Sequence, residues 1–331
     1  MFQRYGRWSL YAVLFFLLAC GCAGRKRQAV PLATLEGVRR HFGIGRIIQT
    51  ESGSAIGFDQ LIARIASRDV VFVGEVHDNP EHHLLQIQVL QALAETSGPL
   101  AIAMEVFPKP LQPLLDRYVQ GEIEEDEFLK EIDWERIWGY DYHLYRPLMQ
   151  LARSEGIRVL AINAPVEIVR KVARTGLEGL APAEREQLAE KIDLNNRAHR
   201  GYLRKVYEQH IHGELTDFDF FYQAQCVWED TMASNIAEYW REHGGRVVVF
   251  IGNGHIVNGF GVPDRTTGRL SVSMATLMPY PLRGRATIAR ATADYLWLTP
   301  EYPRRFRMTP VRTGDGAGRE TTSRPGGHLR D

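Results

Sequence analysis

Two copies of the spacing Gly-x-x-His, each directly after an apolar run, are the chain's strongest chemical signal. Gly74-Glu75-Val76-His77 follows Val70–Val73 and continues into Asp78-Asn79-Pro80, and Gly252-Asn253-Gly254-His255 follows Val247–Ile251. A further apolar run, Leu100–Ala103, leads into Glu105, and another, Val159–Ile162, into Asn163-Ala164-Pro165. Neutral imidazoles and carboxylates are ligands for a divalent metal, and an open position on such a metal acidifies bound water. His77, His255 and Glu105 as ligands, with Glu75 as general base, would make a metal-dependent hydrolase. A single Gly-x-x-His is ordinarily a strand-to-helix turn with a capping histidine. Two of them at matching strand ends, beside an acid from a third, argue for one site drawing on Glu75, His77, Glu105, Asn163 and His255.

The neighbouring polar residues admit plainer readings. Asp78 is expected to cap the helix that begins near Pro80. His82 and His83 fall in its first turn, one expected to face solvent and the other the crevice. Glu229 lies on the apolar stripe of a helix beginning at Phe218, so it needs a buried partner such as an arginine. Cys226, on the same stripe, is expected to pack. A second cluster is aromatic: Trp138 to Tyr145, then His199, Tyr202, Tyr207 and His210 along one helix. Such residues usually form core. Tyrosine and histidine are also the donors that hold haem iron, so His199, Tyr202 and Tyr207 are haem-binding candidates.

Four apolar strands separated by helical stretches predict an α/β fold with a mostly parallel sheet flanked by helices. In such a sheet, loops at the carboxyl ends of strands line the ligand crevice, which is where both Gly-x-x-His turns fall. Arg46 to Ile56 reads as a hairpin and Phe58–Ala66 as an amphipathic helix. Further helices are expected at 81–95, 111–118, 124–131, 144–155, 166–174, 183–192, 197–211 and 218–242. The last four make a long helical insertion, about 165–242, before the fourth strand. A final strand is expected at 291–298.

The start of the chain reads as an export signal. Arg4 and Arg7 precede an apolar run from Trp8 to Leu18, and Leu17-Leu18-Ala19-Cys20 resembles a lipobox. The apolar run, roughly 11 residues, is well short of the about 20 that span a bilayer. Residues 1–19 are therefore expected to be removed and Cys20 to carry the lipid; Cys22 is the weaker alternative. Gly21 in place of aspartate favours the outer membrane, facing the periplasm. Residues 20–44 read as anchor and tether, 45–300 as the folded domain, and 313–331 as a solvated tail rich in Gly, Arg, Ser and Thr. Forty basic and forty acidic residues cancel, which removes the broad field that nucleic acid or an anionic membrane surface would need and leaves the lipid alone as the expected membrane link. Of three cysteines only Cys226 lies in the body, so no disulfide framework holds the domain.

Val70 to Asn79, Met104-Glu105-Val106-Phe107, Tyr142 with Tyr145-Arg146-Pro147, Gln225 to Ala233 and Gly252-Asn253-Gly254-His255 together resemble the ChaN-type haem-binding lipoproteins. The resemblance covers roughly Gly45 to Leu298. It implies a haem-binding, iron-uptake-associated envelope lipoprotein, with haem, membrane, envelope haem-transport components and a second copy of the chain as partners. The wider superfamily includes TIKI and TraB proteins and erythromycin-esterase-like enzymes. In its hydrolytic branches the resemblance implies Glu75, His77, Glu105 and His255 as the active site. No short motif marks the haem ligand, so haem binding and metal-dependent hydrolysis both stand at this point.

Overall fold

A computed structural model describes residues 30–210 and 217–302. Cys20, Cys22, the signal segment and the 313–331 tail lie outside the described residues.

Among the described residues eleven strands build two sheets. In chain order they are β1 (Leu32–Leu35), β2 (His41–Gly43), β3 (Ile47–Gln49), β4 (Ser54–Ile56), β5 (Val70–Glu75), β6 (Leu100–Pro108), β7 (Arg158–Asn163), β8 (Arg246–Gly252), β9 (Met274–Leu282), β10 (Arg285–Ile288) and β11 (Tyr295–Pro300). The large sheet runs β4-β3-β11-β9-β5-β8-β6-β7, and its members from β11 to β7 pair in parallel. β3 and β4 form the expected hairpin and close one edge antiparallel. The α/β expectation holds, and all four apolar runs are strands.

Alternation sorts each buried strand between two faces. Val71, Val73, Ile102, Met104, Val248 and Phe250 pack one core, while Val70, Phe72, Ala101, Ala103, Val247, Val249 and Ile251 pack the other. Helices α1 (Phe58–Ile65), α2 (Pro80–Ala94), α3 (Gln112–Val119), α4 (Glu125–Ile132), α5 (Trp134–Ile137) and α6 (Arg146–Glu155) supply the first core. After β7 come α7 (Val166–Thr175), α8 (Pro182–Arg185), α9 (Arg197–His210) and α10 (Phe218–His243). Met232, Ala233 and Ile236 of α10 lie in the second core, so this helix carries the chain across the sheet to β8. The short α11 (Val262–Thr267) follows.

Three expectations need correction. Residues 32–43 are not tether: β1 and β2 form a small sheet with β10, in which Ala33, Leu35 and Phe42 are buried. Alternating Leu-Ala-Thr-Leu is too short a run to announce a strand unless its distant partner, β10, is known. The helix expected at 183–192 stops at Arg185, and irregular backbone follows, anchored where the Ala189 amide donates to Thr231 and the Asp193 amide to Asp230. The last strand begins at Tyr295, because Arg290–Thr292 is a single 3-10 turn. β9 and β10 lie outside the expected strands; Pro279 and Pro281 within β9 weaken its strand signal. Among the described residues no helix is long and apolar enough to cross a membrane.

Candidate functional site

Parallel pairing puts the carboxyl ends of β5, β8, β6 and β7 side by side, so Glu75, Gly252, Glu105 and Asn163 share one edge of the sheet. The two Gly-x-x-His turns interlock there. A side chain at Gly252 would lie 2.8 Å from His77 Cε1 and 3.4 Å from Glu105 Oε2. One at Gly74 would meet Asn253 and Ile256. Each glycine leaves room for residues of the other turn, which is why the motif occurs twice.

Glu75 is 3% exposed and fully engaged. Its Oε1 accepts from His77 Nδ1 at 2.6 Å and from the Tyr145 hydroxyl at 2.7 Å, and its Oε2 accepts from Gln86 Nε2 at 2.7 Å. Burial opposes its charge, but His83, His77 and Tyr145 outweigh burial and hold its pKa at about 2. His77, 25% exposed, is the open face of this pair. Burial works against its proton, yet the Glu75 bond and the Glu105 charge raise its pKa. Trp138 and Tyr140 flank the ring, with centroids 4.8 and 5.1 Å away.

Glu105 accepts from the Gly252 amide at 2.6 Å and faces His255 Nε2 at 3.3 Å. His255 Nδ1 lies 3.2 Å from Glu229 Oε1. Burial would strip the His255 proton; the Glu105 and Glu229 carboxylates instead raise its pKa to about 10. Glu229, despite complete burial, is held at about 2 by His199 and His255. Its other oxygen meets Arg265 Nε at 3.3 Å and His199 Nε2 at 3.4 Å. Arg265 also binds Asp230, which Arg269 meets at 2.7 Å. The result is a buried chain of alternating charge from Glu75 to Arg269, with His77 at its solvent end. Within it each buried charge keeps a counter-charge.

His77, His255, Glu105 and Glu75 are thus brought together as expected, and Glu229 has its arginine. Cys226 is buried beneath Arg265, whose Nη2 lies 3.1 Å from the sulfur. Other expectations fail. Among the described residues no three His, Cys, Asp or Glu side chains are arranged to hold a metal ion, so His77, His255 and Glu105 are not a ligand set. The reason is local: Nδ1 of His77 and both nitrogens of His255 are already turned to carboxylates. Asn79, not Asp78, caps α2, its Oδ1 accepting from the Glu81 amide at 3.0 Å. Neither His82 nor His83 faces solvent. His82 Nδ1 accepts from the Val76 amide at 2.8 Å and Nε2 meets Thr299 Oγ1, while His83 Nε2 bonds the His77 carbonyl at 3.0 Å. Both hold the first turn in place. Asn163 presents no free carbonyl, since its Oδ1 accepts from the Ala164 amide and its Nδ2 donates to the Glu105 carbonyl. Sequence reasoning missed Gln86 and Arg265. Gln86 stands one helical turn after His83, a spacing that could have marked it; Arg265 carries no such signal.

The aromatic cluster divides in two. Trp138, Tyr140 and Tyr145 pack over the first turn, and Tyr142 packs on Trp134. On α9, His199 is buried with no hydrogen-bond partner at Nδ1, its ring 6.1 Å from Phe260. Tyr202 is half-buried, 6.2 Å from Phe260, and Tyr207 packs on Phe218 and Phe221. The His210 side chain lies outside the described atoms.

The chain is similar to several known proteins. ChaN of Campylobacter jejuni, solved with cofacially bound haem, superposes with a TM-score of 0.61 over 76% of this chain and 95% of that one, at 18% identity. An erythromycin esterase, EreC, gives 0.42 over 71% and 76%, at 12% identity. The Arabidopsis thaliana chloroplast protein RETICULATA-RELATED 5 is 24% identical over 75% of this chain, which spans 37% of that longer protein. The family model described as haem-binding uptake, Tiki superfamily, ChaN matches residues 61–266, well over half the chain. By that match the chain belongs to the ChaN family of haem-binding uptake proteins.

Proposed function

We propose that this protein is a haem-binding lipoprotein of the cell envelope that serves iron uptake. The observation that carries the reading is the family match over residues 61–266. Haem offers ferric iron to an oxygen or nitrogen donor, a flat apolar ring, and two carboxylates. The exposed side of α9 fits those three demands. Tyr202 is half-buried beside Phe260, and Lys205, one helical turn further on, is exposed on the same side. Tyr202 would supply the phenolate, and Lys205 would meet a propionate. Burial and the nearby Glu229 raise the Tyr202 pKa, so the phenol keeps its proton until iron displaces it. Tyr207 is the second donor in line; His199, 1% exposed and facing Glu229, lies deeper.

Cys20 would carry the acyl anchor, placing the domain at the outer membrane facing the periplasm, where envelope haem-transport components and a second copy are the expected partners. The test is a visible spectrum. Ferric haem bound to the wild type should show a tyrosinate charge-transfer band that Tyr202→Phe removes, while His77→Ala with His255→Ala leaves most of the affinity. A band unchanged in both Tyr202→Phe and Tyr207→Phe would overturn the assignment.

A further inference from the structure

Among the described residues four large aliphatic side chains are exposed: Val30 at 70%, Ile44 at 43%, Val76 at 38% and Leu84 at 59%. All four stand at the carboxyl edge of the large sheet. Val76 follows β5 directly, and Leu84 lies in the first turns of α2, whose His82 is bonded to Thr299 of β11. Ile44 and Val30 sit at one end of the small sheet, where Leu32 pairs with both Gly43 and Arg285. That end is fastened to the end of β11, because the Gly45 amide donates to the Leu298 carbonyl at 2.7 Å and the Leu298 amide to Arg46 at 2.9 Å.

Charge is uneven in the same place. Arg46, Arg283 and Arg285 are exposed around Val30 and Ile44, and Glu301 lies 3.3 Å from Arg283. Both ends of the described fold leave from this corner, and both continue into basic sequence: Arg25-Lys26-Arg27 before Val30, and Arg304-Arg305 with Arg307 after Tyr302. Equal totals of acid and base over the whole chain conceal this local excess.

We propose that this corner is a membrane-docking face that meets anionic phospholipid headgroups, with Val30 and Ile44 entering the interface and Arg46, Arg283 and Arg285 at headgroup level. The orientation rests on the lipoprotein reading above. Residues 20–29 reach at most about 35 Å when extended, so an acyl chain on Cys20 holds Val30 within that distance of the bilayer. Exposed aliphatic residues rimmed by arginine suit a lipid interface, where apolar area and basic charge add. Docked this way, the carboxyl edge, and with it the His77 end of the buried charge chain, turns toward the bilayer.

The test uses the mature chain, Cys20 to Asp331, made without lipid, and vesicles of phosphatidylcholine with or without about one-third phosphatidylglycerol. Each basic residue near an anionic surface multiplies binding roughly fivefold. Arg283→Glu with Arg285→Glu should therefore weaken cosedimentation with the anionic vesicles at least about 25-fold. Arg39→Glu with Arg40→Glu makes the same charge change at the opposite end of the small sheet and should leave binding within a few-fold. Ile44→Asp should also weaken it. Circular dichroism establishes that each variant is folded. Equal losses in both double variants would mean that net charge alone acts, and no loss in either would mean that the flanking basic segments suffice; both overturn the docking face. A change of oligomeric state in Ile44→Asp without vesicles would assign the corner to a second copy and overturn it too. Labelled-fatty-acid incorporation in cells reports separately on Cys20: no label with vesicle binding intact would remove the lipoprotein reading and leave the surface standing.

Discussion

Replacing Glu229 by glutamine probes the buried charge chain at its centre. Glu229 is fully buried and contacts His255, His199 and Arg265 at once. His255 is raised from 6.5 to about 10 by Glu105 and Glu229 acting against burial. At about 1.4 kcal/mol per pKa unit, that rise amounts to stabilisation on the order of 5 kcal/mol. A histidine whose pKa rises on folding contributes fully below its unfolded value of 6.5 and loses that contribution as pH climbs through about 10. The carboxylates carry the opposite sign: Glu229, held at about 2, contributes above 4.5 and ceases to as pH falls toward 2. Stability is therefore greatest between roughly pH 4.5 and 6.5 for this group of residues. Removing one member of a buried pair costs about 3 kcal/mol or more, because it strands the other. Glu229→Gln should lose about that much at pH 6 in urea unfolding, and the gap should narrow by roughly 2 kcal/mol by pH 9.5, where the wild type is itself losing the His255 proton. A loss below about 1 kcal/mol, or a gap that does not change between pH 6 and 9.5, would refute the paired-charge reasoning.

Gly252→Ala should destabilise by about 1–3 kcal/mol and shift the His77 imidazole resonances, because the new methyl lies within contact of His77 and Glu105; unchanged resonances would show that the two turns do not interlock. His82 is held at about 4 by burial, so the unfolded chain takes its proton first and stability should fall as pH drops from about 6.5 to 4. His82→Gln should remove that acid sensitivity, and an identical acid limb in the variant would count against it. Burial pushes the Cys226 thiol up to about 12, so at pH 8 it should react with a disulfide reagent no faster than the protein unfolds, as stopped samples in urea can establish.

What the sequence disclosed follows the range of the forces involved. Apolar runs such as Val70–Val73 and Val247–Ile251 are local and continuous, and parallel pairing then fixed their carboxyl ends side by side, which is why His77, Glu105 and His255 could be placed on one edge. β1 and β2 carry no local strand signal, because their burial depends on β10, some 250 residues later. The side chains that decide the chemistry of the edge were the least legible. Whether His255 has a free nitrogen depends on Glu229 and Glu105, supplied by two distant elements, so a pair of histidines that looked like metal ligands proved to be counter-ions. Likewise His82 and His83 could be assigned to a first turn but not to the carbonyl, amide and threonine that consume their nitrogens.

Haem binding is tested most directly by titrating the mature chain with hemin and following the Soret band. Membership of the family predicts saturable uptake, with an affinity far above that of an unrelated protein of similar size. Hemin uptake that is weak, unsaturable and indistinguishable from that control would contradict it.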